Sequence, residues 1–249
     1  MGLFMENILV KDGSVTEITI NRPEKHNALD GETLMQLSYA LKKAQLDKNC
    51  KSIIISGAGK SFSSGADINY LANIKSEASA SAAFELFYTT YKSIWDSEKP
   101  VIAAISGYCL GGGNELAISC DFRFASKDSI FAQPEVKLGL IPGGGATYKL
   151  RVITGLQNAR KMIFTGESID SEKALSIGLV DYLVEGDTLT AAREFAEGIS
   201  SEAQSYAKRA INASMSFDYM HEKELFIKSL LSQRTKELMA KFLASKRSK

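Results

Sequence analysis

The sequence predicts an α/β protein, with strands and helices alternating in the first half and mainly helices towards the C-terminal end. Two short β-branched or apolar runs, at residues 52–56 and 101–105, are typical of buried strands. After Pro142 the apolar side chains recur at helical spacing in most segments. Of the 249 residues, 45% are hydrophobic and 24% are charged, which is ordinary for a globular protein. We therefore expect a core domain over residues 1–190 and a C-terminal helical region over residues 191–249.

The N-terminal half supplies most of the predicted strands. Residues 14–20 (SVTEITI) alternate polar and apolar side chains, which predicts a half-buried strand. Residues 31–48 carry apolar side chains at helical spacing and predict a helix. Residues 57–65 are rich in Gly and Ser and predict a loop. Beyond a triple glycine, residues 114–120 predict a second helix. Two short strands are then predicted at residues 122–125 and 129–131.

The C-terminal half is predicted to be helical apart from one strand at residues 179–184. Helices are predicted at residues 159–165, 171–177, 189–199, 203–215 and 219–244. One earlier segment, residues 75–83, is biased to Ser and Ala. That composition fits a loop or the start of a surface helix, and it also fits a mobile flap over a ligand pocket.

The charge balance argues against a nucleic-acid partner. Lys and Arg number 30 and Asp and Glu number 29, which gives a net charge of +1. The charges are scattered along the chain, so no overall field attracts nucleic acid or an anionic membrane. No run of about 18 apolar residues is present, and residues 1–11 are too short and polar for a signal peptide. We expect neither a membrane span nor a secretory leader.

The cysteines and histidines argue against a metal site. Cys50, Cys109 and Cys120 form an odd set without CxxC spacing, and only His26 and His221 could supply imidazole ligands. Neither a disulfide scaffold nor a zinc site is therefore expected. The simplest interpretation is a protein of a reducing, cytoplasmic compartment, with no metal bound.

Glycine-bearing segments carry the chemistry that the sequence predicts. The triple glycine at residues 111–113 precedes a predicted helix, whose first N–H groups lack intrahelical partners and favour negative charge. Its spacing is not that of GxGxxG, and neither GxxxxGK[ST] nor GxSxG occurs anywhere. Dinucleotide-binding, P-loop and nucleophile-elbow interpretations therefore fail on spacing.

Four motifs in series carry a family resemblance. NRPEKHNAL, SFSSGAD, ISGYCLGGGNELAISCD and AQPEVKLGLIPGGG resemble, in order and spacing, the motif set of the crotonase (enoyl-CoA hydratase/isomerase) family. The resemblance covers nearly the whole chain. It implies an α/β spiral of repeated ββα units with a C-terminal helical trimerisation region. It also implies assembly as a homotrimer or a dimer of trimers.

The resemblance implies a site with two carboxylates beside an oxyanion hole. The thioester carbonyl of an acyl-CoA is expected between the backbone N–H groups of Ala66 and Gly112. Glu115 and Glu135 are expected to flank one water, and the backbone N–H of Gly143 to help hold it. Taken alone, Glu115 could simply complement a helix dipole, and Glu135 could be a solvated loop carboxylate. Two carboxyls held close in an apolar pocket would have coupled, raised pKa values.

The same resemblance implies how coenzyme A would bind. The residues expected at the ligand are Ser64, Gly65, Ala66, Asp67 and Ile68 near the adenine, Arg22 and Lys25 near the phosphates, and Phe242 and Lys246 on the closing helix. In the family that Phe and Lys reach the coenzyme A of a neighbouring subunit, and their spacing here is one residue longer than usual. Coenzyme A enters as part of the substrate, and no permanently bound cofactor is implied.

The expected reaction is the reversible syn hydration of a trans-2-enoyl-CoA to a 3-hydroxyacyl-CoA. One alternative is a double-bond isomerase that uses mainly Glu135. Isomerases of the family tend to lose the carboxylate at the Glu115 position, so the presence of both favours a hydratase. An RNA-binding homologue and a non-catalytic assembly subunit are alternatives of a different class. A further departure, GGGATYKL in place of an AGGTQRL-like ending, suggests that Tyr148 and Lys149 alter pocket shape or subunit contacts.

Overall fold

Two β-sheets form the frame of the computed structural model, which describes residues 5–199, 202–213 and 219–247. The strands are β1 (Ile8–Lys11), β2 (Val15–Ile20), β3 (Ser52–Gly57), β4 (Ser61–Ser63), β5 (Val101–Ile105), β6 (Tyr108–Leu110), β7 (Phe122–Ser126), β8 (Ile130–Ala132), β9 (Ile169–Asp170) and β10 (Tyr182–Val184). The larger sheet has the order β1-β2-β3-β5-β7-β10, and the smaller one has the order β4-β6-β8-β9. The larger sheet is parallel except for β1, which pairs antiparallel with β2.

Helices fill the connections and the C-terminal end. They are α1 (Gly31–Leu46), α2 (Ile68–Ala72), α3 (Glu77–Trp95), α4 (Gly112–Ala117), α5 (Ala146–Ile153), α6 (Leu156–Thr165), α7 (Ser171–Ser176), α8 (Thr188–Gly198), α9 (Glu202–Ala213), α10 (Tyr219–Leu231) and α11 (Gln233–Arg247). Two 3₁₀ helices cover Pro23–Lys25 and Glu135–Leu138.

The connectivity repeats three times. A strand of the larger sheet is followed by a strand of the smaller sheet and then by a helix: β3-β4-α2, then β5-β6-α4, then β7-β8 and the 3₁₀ helix Glu135–Leu138. Each repeat advances one strand in both sheets, so the chain winds as a spiral. The predicted fold of ββα units followed by C-terminal helices is confirmed. The three helix starts fall at one edge, because β4, β6 and β8 lie parallel and adjacent.

The central strands are buried on both faces, as expected for parallel strands that have helices on each side. Ile53 and Ile55 of β3 pack into the main core together with Leu34 and Leu41 of α1. Ile54, between them, points to the opposite face and packs with the alanines of α8. Continuous apolar runs at residues 52–56 and 101–105 therefore gave correct strand predictions, because both faces of these strands need apolar side chains.

Several local predictions need correction. The loop predicted over residues 57–65 contains β4, a three-residue strand too short to leave a pattern. The helix predicted over residues 219–244 is two helices, α10 and α11, which meet around Ser232. Residues 75–83, in contrast, contain the start of α3, which confirms the predicted helix start; Ser76 caps this helix by accepting from the backbone N–H of Ser79. Residues 214 and 215 of the helix predicted over residues 203–215 lie outside the described residues.

The described part of the chain contains neither a candidate membrane span nor a cluster of metal ligands. There, no helix is both long and apolar enough to cross a bilayer. No cluster of three or more His, Cys, Asp or Glu side chains that could hold a metal ion occurs within the described ranges. The three cysteines are free thiols and are buried.

Helix α8 crosses the domain boundary predicted at residue 190 and packs on the larger sheet. Ala192 and Ala196 are buried against Ile54 and Phe124. Phe195 lies 4.8 Å from Phe122 and 5.2 Å from Phe124, measured between ring centroids. Helix α8 therefore covers one face of the sheet, while the division of the chain into two regions stays a prediction.

We expect Phe195→Ala to destabilise the sheet, because the substitution removes the ring that joins α8 to β7. The expected loss is about 2 kcal/mol, below the range for a fully buried Phe because this side chain is partly exposed. Urea unfolding at fixed protein concentration measures it, with the exposed neighbour Glu194→Ala as the matched control. Equal unfolding midpoints for the two variants would show that α8 and the sheet do not unfold as one unit.

Candidate active site

Two glycine loops meet at the edge where β4 and β6 end. The loop after β4 contains Gly65, whose φ of +92° is in the region that favours glycine. A Cβ on Gly65 would lie 2.6 Å from the carbonyl oxygen of Leu110 and 3.2 Å from the backbone nitrogen of Gly112. Only glycine permits this approach, and it brings Ala66 beside Gly112. A Cβ on Gly112 would in turn lie 3.4 Å from the backbone nitrogen of Ala66.

The backbone N–H groups of Ala66 and Gly112 are both uncommitted. Leu29 donates to the Gly65 carbonyl, and Asp67 donates to the Leu29 carbonyl, both at 2.8 Å. In this parallel bridge the N–H of Ala66 points away from Leu29. Gly112 is the first residue of α4, so its N–H has no intrahelical acceptor. Over the described residues neither group donates a hydrogen bond to the protein. The two amides predicted from the motifs are thus adjacent and free to bind an oxygen.

Glu115 lies in the first turn of α4 and is 3% exposed. Its Oε1 accepts hydrogen bonds from the backbone N–H of Gly144 at 2.7 Å and of Ala146 at 3.1 Å. Burial raises the pKa of Glu115 to about 7, and these two donors, with the Lys149 ammonium, oppose the rise. The donors stabilise the ionised form, so Glu115 can carry a negative charge near neutral pH.

Glu135 begins the 3₁₀ helix that follows β8. Its carboxyl accepts fewer hydrogen bonds from the described part of the protein than the carboxyl of Glu115 does. Its Oε1 accepts from Nε2 of Gln133 at 2.8 Å, and Gln133 is held by Nδ2 of Asn114 at 2.8 Å. Its Oε2 is buried and has no partner among the described residues. Burial first, and then the charge of Glu115, raise the pKa of Glu135 to about 8. Glu135 therefore keeps its proton to a higher pH than Glu115 does.

Both carboxyls face one narrow cavity. All the residues predicted for catalysis line it: Ala66, Gly112, Glu115, Glu135 and Gly143. The rest of the lining is apolar: Leu71, Phe87, Leu140, Ile141 and Phe226. Apolar walls around two carboxyls explain the raised pKa values, because a charged form loses its hydration there.

A wider groove of about 790 Å³ opens from this cavity. It shares Ala66, Gly112 and Glu135 with the cavity. The predicted ligand residues that line it are Lys25, Ser64, Gly65, Ala66, Asp67, Ile68, Phe242 and Lys246. The sequence prediction did not name several other lining residues, among them His26, Tyr108 and Lys137. All three lie inside the quoted motifs, so their positions were the available signal.

The surroundings of Arg22 do not fit its predicted role near the phosphates of coenzyme A. Its side chain is buried, with a guanidinium 2.8 Å from Asp30 and 3.3 Å from Asp67, and it is not part of the groove. Two carboxylates already neutralise its charge, so it is not available to bind phosphates. Arg22 instead fixes the loop after β4, because Asp67 both pairs with it and caps α2.

Phe242 and Lys246 line the groove of their own chain. Helix α11 packs against α2 of the same chain, and the reach of these two residues to a neighbouring subunit stays a prediction. Their spacing of four residues is one helical turn, so both side chains lie on one face of α11. The Lys246 ammonium is 5.0 Å from the centroid of the Phe242 ring. The longer spacing therefore keeps the two side chains together.

Three further polar side chains lie around Glu115. Tyr91 donates through its hydroxyl to the Gly112 carbonyl at 2.8 Å. Lys149, which the sequence predicted to alter pocket shape or subunit contacts, donates to Oγ of Ser119 at 2.7 Å, and burial lowers its pKa to about 8, against the opposing effect of Glu115. Glu222 reaches the same region from α10. Tyr91 and Glu222 were not predicted for the site, because they lie outside the quoted motifs and far from Glu115 in the sequence.

Comparison with known proteins agrees with this geometry. Residues 10–243 match the sequence model of the family described as enoyl-CoA hydratase/isomerase. The chain belongs to this family. The short-chain-enoyl-CoA hydratase of Clostridium acetobutylicum is 37% identical, over 96% of this chain and 95% of that protein. The crotonyl-CoA hydratase of Syntrophomonas wolfei is 36% identical, over 97% and 96%.

Solved structures of enoyl-CoA hydratases share the fold. The Bacillus anthracis enzyme superposes with a TM-score of 0.79 at 32% identity, covering 90% of this chain and 89% of that one. The Thermoplasma volcanium enzyme gives a TM-score of 0.81 at 31% identity, covering 96% and 98%. The membership of the crotonase family predicted from the four motifs is confirmed.

The raised pKa of Glu135 predicts that the stability of the folded protein falls as the pH rises. An unfolded Glu has a pKa near 4.5, and the folded value is about 8. Between these values the folded protein holds a proton that the unfolded chain releases, so rising pH favours unfolding. The penalty is absent below the unfolded pKa and complete above the folded one.

Glu135→Gln should therefore be more stable than the unsubstituted protein at about pH 9, by at least about 1 kcal/mol. The two should unfold at similar urea concentrations at about pH 5, because both side chains are then neutral. Exposed Glu167→Gln is the control and should show no pH-dependent difference. Equal stability of Glu135→Gln and the unsubstituted protein at high pH would contradict a buried, protonated Glu135.

Proposed function

We propose that this chain catalyses the reversible syn addition of water to a trans-2-enoyl-CoA, which gives a 3-hydroxyacyl-CoA. The observation that supports this most is the pair of carboxyls, Glu115 and Glu135, facing one apolar cavity beside two free backbone N–H groups. The names of relatives such as the crotonyl-CoA hydratase point to the same chemistry. Coenzyme A enters as part of the substrate, with no permanently bound cofactor.

The backbone N–H groups of Ala66 and Gly112 activate the substrate. They bind the thioester oxygen, on which negative charge grows as water attacks Cβ. Donors that are already in place need no reorganisation, and each is typically worth about 10²–10³ in turnover. The dipole of α4 adds to the stabilisation, because its N-terminus faces the same oxygen. The acyl double bond then lies between these amides and the two carboxyls.

The environments of the two carboxyls assign their roles. Glu115, with two backbone donors and the lower pKa, is the ionised base that takes a proton from water. Glu135, with an unpartnered Oε2 and the higher pKa, is the acid that gives its proton to Cα. The water oxygen bonds to Cβ from the same side, which makes the addition syn. The N–H of Gly143 helps hold that water.

The groove binds the coenzyme A moiety. The backbone of the loop from Ser64 to Asp67 and the side chain of Ile68 take the adenine end. Lys25, Lys137 and Lys246 are the cations along the groove that serve the phosphates. Phe242 supplies an apolar wall. Lys137 replaces Arg22 in this role, since the charge of Arg22 is used inside the protein.

We also propose assembly as a homotrimer or a dimer of trimers. Exposed apolar side chains on α5 and α6 support it: Val152, Leu156 and Phe164, the last 74% exposed. A monomer would leave these side chains in water at a cost in free energy.

Glu115→Gln and Glu135→Gln should each slow the hydration of crotonyl-CoA by at least about 10²-fold, the usual contribution of a positioned acid or base. The double variant should lose much less than the product of the two losses, because both groups act on one water. Stopped assays of purified protein measure this, and calorimetry with coenzyme A should show unchanged binding.

Near-normal hydration by either single variant would refute the assignment of the pair. If Glu115→Gln still converts a 3-enoyl-CoA while it fails to hydrate crotonyl-CoA, the isomerase alternative is favoured instead.

The closed end of the cavity indicates short acyl chains. The cavity is only about 40 Å³, and Phe226 of α10 forms part of its wall. The ring lies so close to Gly143 that a Cβ there would be 2.5 Å from its Cδ2. Phe84 holds the ring from behind, at 5.4 Å between centroids. Phe226 therefore limits the length of chain that can extend past the carboxyls.

Phe226→Ala should raise the ratio of kcat/KM for octenoyl-CoA to that for crotonyl-CoA by about 10-fold or more, because methylene groups gain a binding site. Leu225→Ala, an exposed neighbour on the same helix, is the control. An unchanged ratio in a folded Phe226→Ala protein would mean that the acyl chain leaves by another path.

A further inference from the structure

Glu222 is a third buried carboxyl close to the proposed pair. It lies on α10 and is 4% exposed. Its Oε1 accepts a short hydrogen bond from the hydroxyl of Thr147, and its Oε2 is buried without a partner among the described residues. It does not line the cavity that Glu115 and Glu135 face. The hydration step described above has no use for it.

One helix N-terminus holds both Glu115 and Glu222. The backbone N–H groups of Gly144 and Ala146 bind Glu115. Thr147, the residue after Ala146, donates a hydrogen bond through its hydroxyl to Glu222. Neighbouring residues at the start of α5 therefore bind different carboxyls. Any movement of Glu222 would move the donors that orient Glu115.

The two carboxyls also interact through their charges. Burial and then the charge of Glu115 raise the pKa of Glu222 to about 8, while Thr147 and Lys149 oppose the rise. Because the charge of Glu115 helps to raise the pKa of Glu222, Glu222 keeps its proton while Glu115 ionises and acts on Glu115 through the loop rather than as a charge. The other titratable groups around this pair are Glu135, Tyr88, Tyr91, Asp96, Cys120 and Lys149. On α10 the adjacent Lys223 is engaged by Glu85.

We propose that Glu222 is a positioning residue for Glu115: from α10 it fixes the loop of residues 143–147, whose amides orient that carboxylate. The inference rests on the proposed hydration. It connects the C-terminal helices to the chemistry through Thr147, although Glu222 does not touch the substrate. A purely structural Glu222 would affect stability but would not change kcat at constant KM.

Glu222→Ala removes the acceptor of the Thr147 hydroxyl, whereas Gln at the same position still accepts through its amide oxygen. With crotonyl-CoA, Glu222→Ala should lower kcat by about 10-fold with little change in KM, and Glu222→Gln should restore most of that loss because it holds the loop again. Thr147→Val keeps Glu222 and removes the hydrogen bond. It should lower kcat by about 10-fold with little change in KM, because the carboxylate loses its alignment. Exposed Glu224→Gln on the same helix is the control for both.

The outcomes are distinguishable. If the unsubstituted protein does not hydrate crotonyl-CoA, the proposed function fails. If it does, and both Glu222→Ala and Thr147→Val keep the kcat of Glu224→Gln, the role of Glu222 is overturned. If Glu222→Ala does not fold, Thr147→Val decides: a loss in kcat at unchanged KM supports the proposal, and an unchanged kcat overturns it.

Discussion

The parallel pairing of β4 with β6 is the contact on which the site depends. These strands are three residues each, yet they bring two loops together at their carboxyl ends. The approach is so close that Gly65 has no room for a Cβ beside Leu110 and Gly112. Two backbone N–H groups are thereby aligned without any side chain. β3 and β5, the strands that precede β4 and β6, are themselves paired in the larger sheet. The core of the protein therefore fixes this alignment.

Beside this edge, three carboxyls lie in a buried environment that opposes their ionisation. Glu115, Glu135 and Glu222 each come from a different element, and burial is the largest cause of the raised pKa in all three. Lys149 is a partly buried cation beside them, and its own pKa is lowered by burial. Such a cluster costs stability, and the apolar packing of Ile53, Ile55 and their neighbours compensates for it. As a result, the pKa values of these carboxyls lie near neutral pH, where the carboxyls can exchange protons.

The sequence predicted the frame of this site better than its surroundings. Strands 52–56 and 101–105 were predictable because both their faces are apolar, and the motifs located Ala66, Gly112, Glu115 and Glu135 in one cavity. Arg22 was assigned to phosphates because a motif shows that a cation is present but not that Asp30 and Asp67 enclose it. Glu222 left no signal, because its partner Thr147 is 75 residues away and only tertiary packing joins them. Short strands such as β4 contain too few residues for any periodicity to appear.

The placement of α10 and α11 has a consequence for how the protein matures. The two sheets are built from residues 8–184, whereas Phe226, Glu222 and Phe242 come from helices translated later. All ten strands in the described part of the chain are therefore translated before any residue of α10 or α11. The cavity and the groove cannot be complete until both C-terminal helices have been made and have docked on the frame.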